Sequence, residues 1–237
     1  MRTGTLYTGT SGFAYKEWKG TFYPQDLSDK KMLGFYSEQL PTVEVNYTFR
    51  RMPSESTLEG WKTQAAPDFR FTLKASQRIT HFKRLKETAE DVAEFVRRAK
   101  ILGDSLGIVL FQLPPNFVAN AELFATFLSE LPPVVRYAFE FRHASWTDPQ
   151  IERLLTEHAV ARCGAETDEL AVSVIPITAP FVYLRLRKLD YQDGEIVEWG
   201  KRITPVLGAG HDVFCYFKHE GGGVGPAYAK RLIEAVG

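Results

Sequence analysis

Val135-Arg136-Tyr137-Ala138-Phe139-Glu140-Phe141-Arg142 sets Phe139 and Phe141 on one face of a strand and Glu140 and Arg142 on the other. Asp148-Pro149 follows shortly after, with an aspartate to cap a helix and a proline for its first position. The same arrangement of apolar run, polar or charged end and helix-like stretch occurs eight times. The other runs are Thr5–Phe13, Thr42–Phe49, Arg70–Ser76, Gly107–Leu113, Val160–Ala165, Phe181–Arg187 and Asp212–Lys218. Regular alternation of strand and helix predicts a parallel sheet with helical crossovers. Eight units in 237 residues fit an α/β single-domain (β/α)8 TIM-like barrel, whose usual size is about 250 residues. A doubly wound open sheet is the alternative, but the chain has no GxGxxG after its first strand and too many strands.

Helix signals lie between the runs: Ser28-Asp29 to Leu40, Pro53-Ser54-Glu55 to Ala66, Glu87–Leu102 with Gly103 as its end signal, Ala121–Leu131, and a last helix beginning at Pro226. Between Cys163 and Phe181 the helical pattern is poor, and Pro176 and Pro180 oppose a full crossover helix. The barrel is therefore expected to be irregular around its sixth and seventh units. No Pro/Gly/Ser-rich linker or charge run divides the chain, so residues 1–237 read as one domain.

With 29 basic and 29 acidic residues the chain has no global attraction for nucleic acid or an anionic membrane, and any electrostatic preference must be local. Cys163 and Cys215 fall inside predicted strands without metal or disulfide spacing. The first strand begins within about five residues, leaving no room for a signal peptide. The most apolar stretch, Ala171–Leu186, is interrupted by prolines and too short to span a bilayer. A cytoplasmic location follows as the expectation.

Strand parity picks out the candidate site. Parallel strands buried on both faces normally read as continuous apolar runs, so the alternation here needs a reason. Val43, Val45 and Tyr47 oppose Glu44, Asn46 and Thr48; Phe71, Leu73 and Ala75 oppose Thr72, Lys74 and Ser76; Val182, Leu184 and Leu186 oppose Arg185 and Arg187. If the apolar parity meets the helices, the polar parity converges on the barrel mouth. Glu44 and Glu140 then face Lys74, Arg142, Arg185, Arg187 and Lys218, a positive excess suited to a small anionic ligand such as a phosphorylated metabolite. The alternative is a structural ion-pair network, since burying such charges unpartnered would be costly.

Glu44 and Glu140 are the candidate catalytic acid/base residues; alternatively they anchor Arg142 or Arg185. Asn46, Lys74, His81, Gln112, Arg142, His143, Arg185 and Lys218 are the candidate substrate-binding residues. For Lys74 the barrel position favours phosphate or carboxylate binding, with a Schiff base or a structural ion pair as the alternatives. Glu44, Glu140, His81 and His143 lack diagnostic metal spacing, so no bound metal and no cofactor are expected. Most of Tyr15, Trp18, Tyr23 and Trp146 should be core, with one or two available to stack on a ring. Gly221-Gly222-Gly223-Val224-Gly225-Pro226 could present amides to an anion or serve as a tight connection.

Ordered motifs run the length of the chain: Gly9-Thr10-Ser11-Gly12-Phe13 with Tyr15 and Trp18, Phe22-Tyr23-Pro24, Val43-Glu44-Val45-Asn46 with Thr48-Phe49, Phe71-Thr72-Leu73-Lys74-Ala75 with Thr80-His81, Gln112-Leu113-Pro114-Pro115, Glu140-Phe141-Arg142-His143 with Trp146, and Leu184-Arg185-Leu186. In these the chain resembles the YecE-like family, whose members carry the domain of unknown function 72. The resemblance implies a TIM-barrel-like fold and no particular activity. Three departures add positive charge. Phe49-Arg50-Arg51 stands for the family's Phe-Tyr-Arg, Arg185-Leu186-Arg187-Lys188 for Arg-x-His-Gly, and Phe217-Lys218-His219 for Phe-Asn-Asn. Fold analogy alone points to an enzyme, a hydrolase or isomerase working on an anionic metabolite. A non-catalytic ligand- or nucleic-acid-binding protein using the same basic mouth is the alternative.

Overall fold

Residues 3–218 and 222–237 are described by the computed structural model. Eight parallel strands close in sequential order: β1 (Leu6–Ser11), β2 (Thr42–Val45), β3 (Arg70–Lys74), β4 (Leu106–Gln112), β5 (Arg136–Glu140), β6 (Ala161–Glu166), β7 (Phe181–Leu186) and β8 (Asp212–Phe217). Closure is made by β1, which pairs with β2 on one side and β8 on the other. The crossovers are α1 (Met32–Gln39), α2 (Glu55–Gln64), α3 (Ala89–Ala99), α4 (Ala121–Ser129) and α5 (Pro149–Glu157) after β1 to β5, then α6 (Asp193–Gly208) after β7 and α7 (Val224–Val236) after β8. The (β/α)8 barrel read from the alternation is present.

Local chemistry sets most boundaries. Ser54 Oγ accepts the amide of Thr57 at 3.1 Å to open α2. Asp148 Oδ1 accepts the amide of Gln150 at 2.7 Å, with Pro149 in the first position of α5. Gly103, at φ +58°, turns the chain out of the helical region after α3. No helix joins β6 to β7, where the two prolines fall.

Several boundaries differ from the sequence reading. The segment after Ser28 begins as a 3-10 turn, Asp29–Lys31, before α1, and the Ser28 side chain makes no cap bond. The last helix starts at Val224, two residues before Pro226. The second strand stops at Val45, because Asn46 takes a helical backbone (φ −84°, ψ −20°) and leads into a 3-10 turn, Tyr47–Phe49. Asn46 and Thr48 therefore do not extend the inward face of β2. Thr48 instead ties the turn down, donating to the carbonyls of Val45 (3.0 Å) and Lys74 (2.7 Å).

Parity divides the core in two. Val43, Phe71, Leu73, Phe139, Val182, Leu184 and Leu186 join one large cluster, with Val92, Phe95, Phe124, Leu155, Ile196 and Ile203 of the surrounding helices. Ile108, Leu110, Ala138, Phe181, Tyr183, Phe214 and Tyr216 fill the barrel interior. Among the described residues no helix is long and apolar enough to cross a membrane.

Candidate functional site

The barrel interior becomes more polar toward the carboxyl ends of its strands. At the bottom, Tyr7 stacks on Phe214 with centroids 4.6 Å apart. In the middle, the Tyr216 hydroxyl lies between Thr42 Oγ1 (2.9 Å) and Thr72 Oγ1 (2.6 Å). At the top, where barrel sites are built, the inward positions are Ser11, Glu44, Lys74, Gln112, Glu140 and Arg185.

Arg185 occupies the centre of this layer and spans both carboxylates. Its Nη2 donates to Glu44 Oε1 at 2.7 Å, and its Nη1 donates to Glu140 Oε2. Glu44 also accepts from Ser11 Oγ (2.9 Å), Asn46 Nδ2 (3.1 Å) and the Tyr183 hydroxyl (2.5 Å). Glu140 also accepts from Gln112 Nε2 (2.8 Å) and Arg142 Nε (3.0 Å). Glu44, Glu140 and Arg185 are at most 3% exposed. Burial alone would push both carboxyl groups up, but the guanidinium of Arg185 and the surrounding donors outweigh it. Glu44 is held below the usual carboxylate range, and Glu140 is brought down to about 2.

Above this triad opens a cavity of about 390 Å³. Arg50, Lys74, Arg142, Arg185 and Arg187 line it, with Tyr15, Asn46, Tyr47, Phe49 and Gln112 completing the wall. The two glutamates are not part of this lining, and Asn46, Gln112, Arg142 and Arg185, which are, donate to them. Lys74 Nζ donates to Gln112 Oε1 at 2.7 Å and sits 4.3 Å from the centroid of the Phe49 ring. Burial, and then the positive field of Arg185, bring its amine down to about 8, although Glu44 and Glu140 pull the other way. Arg187 reaches Ser11 Oγ only at 3.4 Å.

Not every expected residue reaches the cavity. Asn46, Lys74, Gln112, Arg142 and Arg185 line it directly. His81, on a single π turn (Arg78–Phe82) after β3, stands behind Phe49, ring centroids 4.9 Å apart, with Nδ1 2.9 Å from Thr80 Oγ1. Burial and the charges of Lys74, Arg142 and Arg84 lower its pKa. His143 is not part of the lining, because its Nδ1 caps a 3-10 turn (Ala144–Thr147) by accepting the amide of Ser145 at 3.2 Å. Lys218 is likewise not in the lining, and its backbone amide continues the ladder to the Leu186 carbonyl. Gly221 of the glycine loop and His219 lie outside the described residues. Gly225 serves close packing, since a Cβ there would fall 2.4 Å from the Lys218 carbonyl oxygen. Among the described residues, no group of three or more His, Cys, Asp and Glu side chains stands where it could hold a metal ion.

Some participants were not singled out from sequence. Tyr183 and Ser11 both bind Glu44, and their parity with Arg185 and with the inward face of β1 was the available signal. Trp18, Tyr23 and Trp146 are buried core residues, whereas Tyr15 lines the cavity.

A larger cleft, about 850 Å³, opens at the amino-terminal end of the barrel. Its Arg70, Lys100 and Arg136 are balanced by Asp68, Asp104 and Asp212, with Arg136 and Asp212 paired at 3.0 Å. It has no charge excess, and it lies at the end where barrels carry stability and not chemistry.

Residues 7–237 match the family described as protein of unknown function DUF72. The UPF0759 protein YunF of Bacillus subtilis is 24% identical, the alignment covering 97% of this chain and 94% of that protein. A crystal structure of a DUF72 family protein from Thermotoga maritima superposes with a TM-score of 0.85 at 23% identity, covering 97% of this chain and 98% of that one. A second, from Enterococcus faecalis, gives 0.77 at 16% identity over 100% and 99% of the two chains. The barrel is thus the fold of these relatives, and the chain belongs to the DUF72 family.

Proposed function

We propose that the barrel mouth binds a small organic anion, a phosphorylated metabolite being the class that suits it, and acts on it by acid/base chemistry in which Lys74 exchanges the proton. The observation that carries this reading is the division of charge. Cations line the cavity, while Glu44 and Glu140 stay off the lining and are taken up by donors that include its Asn46, Gln112, Arg142 and Arg185. An anion entering the cavity meets Lys74, Arg142 and Arg187 with no carboxylate interposed on the lining.

The geometry favours an anchoring role for the two glutamates over the acid/base role expected from sequence. Four side-chain donors converge on Glu44 and three on Glu140. Protonating either would set donors against a donor, so neither is suited to act as an acid near neutral pH. Lys74, brought close to neutrality, is the group in the lining able to give and take a proton there.

Inorganic phosphate is expected to raise the melting temperature relative to chloride at matched ionic strength. At a hundred times the dissociation constant the stabilisation would be about 2.7 kcal/mol. Lys74→Met keeps much of the aliphatic stem and should lose most of that gain while remaining folded. Equal shifts with both salts, or an undiminished response in the variant, would identify the mouth as a structural network. A second reading, binding of a single-stranded nucleic acid without turnover, draws on Tyr47 and Phe82, which are 58% and 73% exposed. Salt-dependent retention of an oligonucleotide, lost on Tyr47→Ala, would favour it.

A further inference from the structure

We propose that Lys74 is a nucleophile that forms a Schiff base with a carbonyl-bearing anion, so that the substrate class is a keto or aldehyde compound carrying a phosphate or carboxylate. This rests on the anion-binding reading above and adds the electrophile to it.

Three features of the Lys74 side chain carry the inference. Its Nζ has a neutral partner, Gln112 Oε1, and an aromatic face, Phe49, beside it. Among the described residues no carboxylate lies within ion-pairing distance of it, although Glu44 and Glu140 are in the same layer. Those carboxylates are held by Arg185 and Arg142, which leaves the amine free of the partner that would fix it as an ammonium. A lysine whose task was a structural ion pair would have been paired here. Lys74 also lines the cavity, with Arg142 and Arg187 on the same lining to hold the anionic end of a ligand. A ligand held there by its anionic end shares the cavity with Lys74. Burial and neighbouring cations favour the neutral amine, the reactive form.

The step balances without a further reagent. The neutral amine of Lys74 attacks the carbonyl carbon, forming a C–N bond while the C=O π pair moves to oxygen. The nitrogen gives up one proton, the oxygen takes that proton and a second from solvent, and the C–O bond breaks to release water, leaving a protonated imine with a net uptake of one solvent proton. Water reverses the process.

The test is reductive trapping on the intact protein. Dihydroxyacetone phosphate is the probe, with cyanoborohydride as the hydride donor, and peptide mass mapping locates the adduct. Lys74 is expected to be labelled at least about tenfold faster than the exposed Lys16 near neutral pH, because burial and the field of Arg185 bring the Lys74 amine down to about 8 and leave more of it neutral. Glycerol 3-phosphate, an anion without a carbonyl, should protect Lys74, and acetone, a carbonyl without an anion, should label it much more slowly. Labelling of Lys74 no faster than of Lys16 would overturn the proposal. So would labelling that glycerol 3-phosphate does not slow, or equal labelling by acetone. If Lys74 stays unlabelled while phosphate still stabilises the fold, the nucleophile falls and the anion site stands. If phosphate neither stabilises nor protects, the anion site itself falls.

Discussion

Replacing Arg185 by methionine is expected to destabilise the fold by about 3–5 kcal/mol, the usual consequence of removing one partner of a buried ion pair. Here a single guanidinium is the shared partner of two buried carboxylates, of which, among the described residues, only Glu140 has a second paired cation, Arg142, so the loss should lie at the upper end of that range. The damage comes from Glu44 and Glu140 left charged without their shared counter-ion, and not from lost volume. Combining Arg185→Met with Glu44→Gln and Glu140→Gln should therefore recover a large part of the stability, a non-additivity that neighbours sharing one network produce. Arg185→Lys cannot donate to both glutamates from opposite sides of one planar group, and should fall between wild type and the methionine variant. Chemical denaturation of the four proteins measures this. A single Arg185→Met loss no larger than that of the triple variant would mean that the triad is not the electrostatic unit described above.

The second large effect is on the acid side of the stability profile. Glu140 titrates at about 2 in the folded protein, against an ordinary value of 4.5. A carboxyl group whose folded pKa is depressed stabilises the native state above its unfolded pKa, and that contribution is lost as pH falls toward the folded pKa. At about 1.4 kcal/mol per unit the depression corresponds to about 3 kcal/mol, lost between about pH 4.5 and pH 2. Glu44 is shifted in the same direction and adds to the loss. Glu140→Gln should be less stable than wild type at neutral pH but should lose less on acidification. Parallel acid limbs for wild type and Glu140→Gln would contradict the assignment.

The legible parts of this molecule were those governed by local rules. Alternation in Phe139-Glu140-Phe141 and in Leu184-Arg185-Leu186 gave the faces, because a strand turns each successive side chain to the opposite side. Asp148-Pro149, Ser54 and Gly103 marked helix ends through cap and backbone preferences that do not depend on the rest of the chain. Pro176 and Pro180 argued against a full crossover helix, and the segment between β6 and β7 holds none. Tertiary partnership was not legible. Asn46 continued the alternation of its strand on paper, yet the chain turns there into a 3-10 segment that Thr48 ties to β3. Tyr183 reads as one more interior aromatic, and only the position of Glu44 across the barrel makes its hydroxyl part of the site. His143 and Lys218 share the mouth end with the others, but a local cap claims the ring of one, and the lining omits the other. Strand parity pointed to Lys74, Arg142, Arg185 and Arg187 but also to Lys218, which is off the lining, and not to Arg50, which is on it; nor could it show that Arg185 takes both glutamates and leaves Lys74 to a neutral partner.

That division of labour can be measured by calorimetric titration of sulfate, whose charge is constant from about pH 7 to about pH 9.5, at fixed ionic strength. If Lys74 supplies positive charge to the mouth and its amine is brought down to about 8, sulfate affinity should weaken by about fivefold or more across this range, one unit charge a few ångströms away being worth about 1–4 kcal/mol. In Lys74→Met the affinity should be low at both ends of the range and no longer vary with pH. Sulfate binding that is equally tight at both pH values in wild type, or a variant that binds as well as wild type, would contradict the account of the barrel mouth as an anion site built around Lys74.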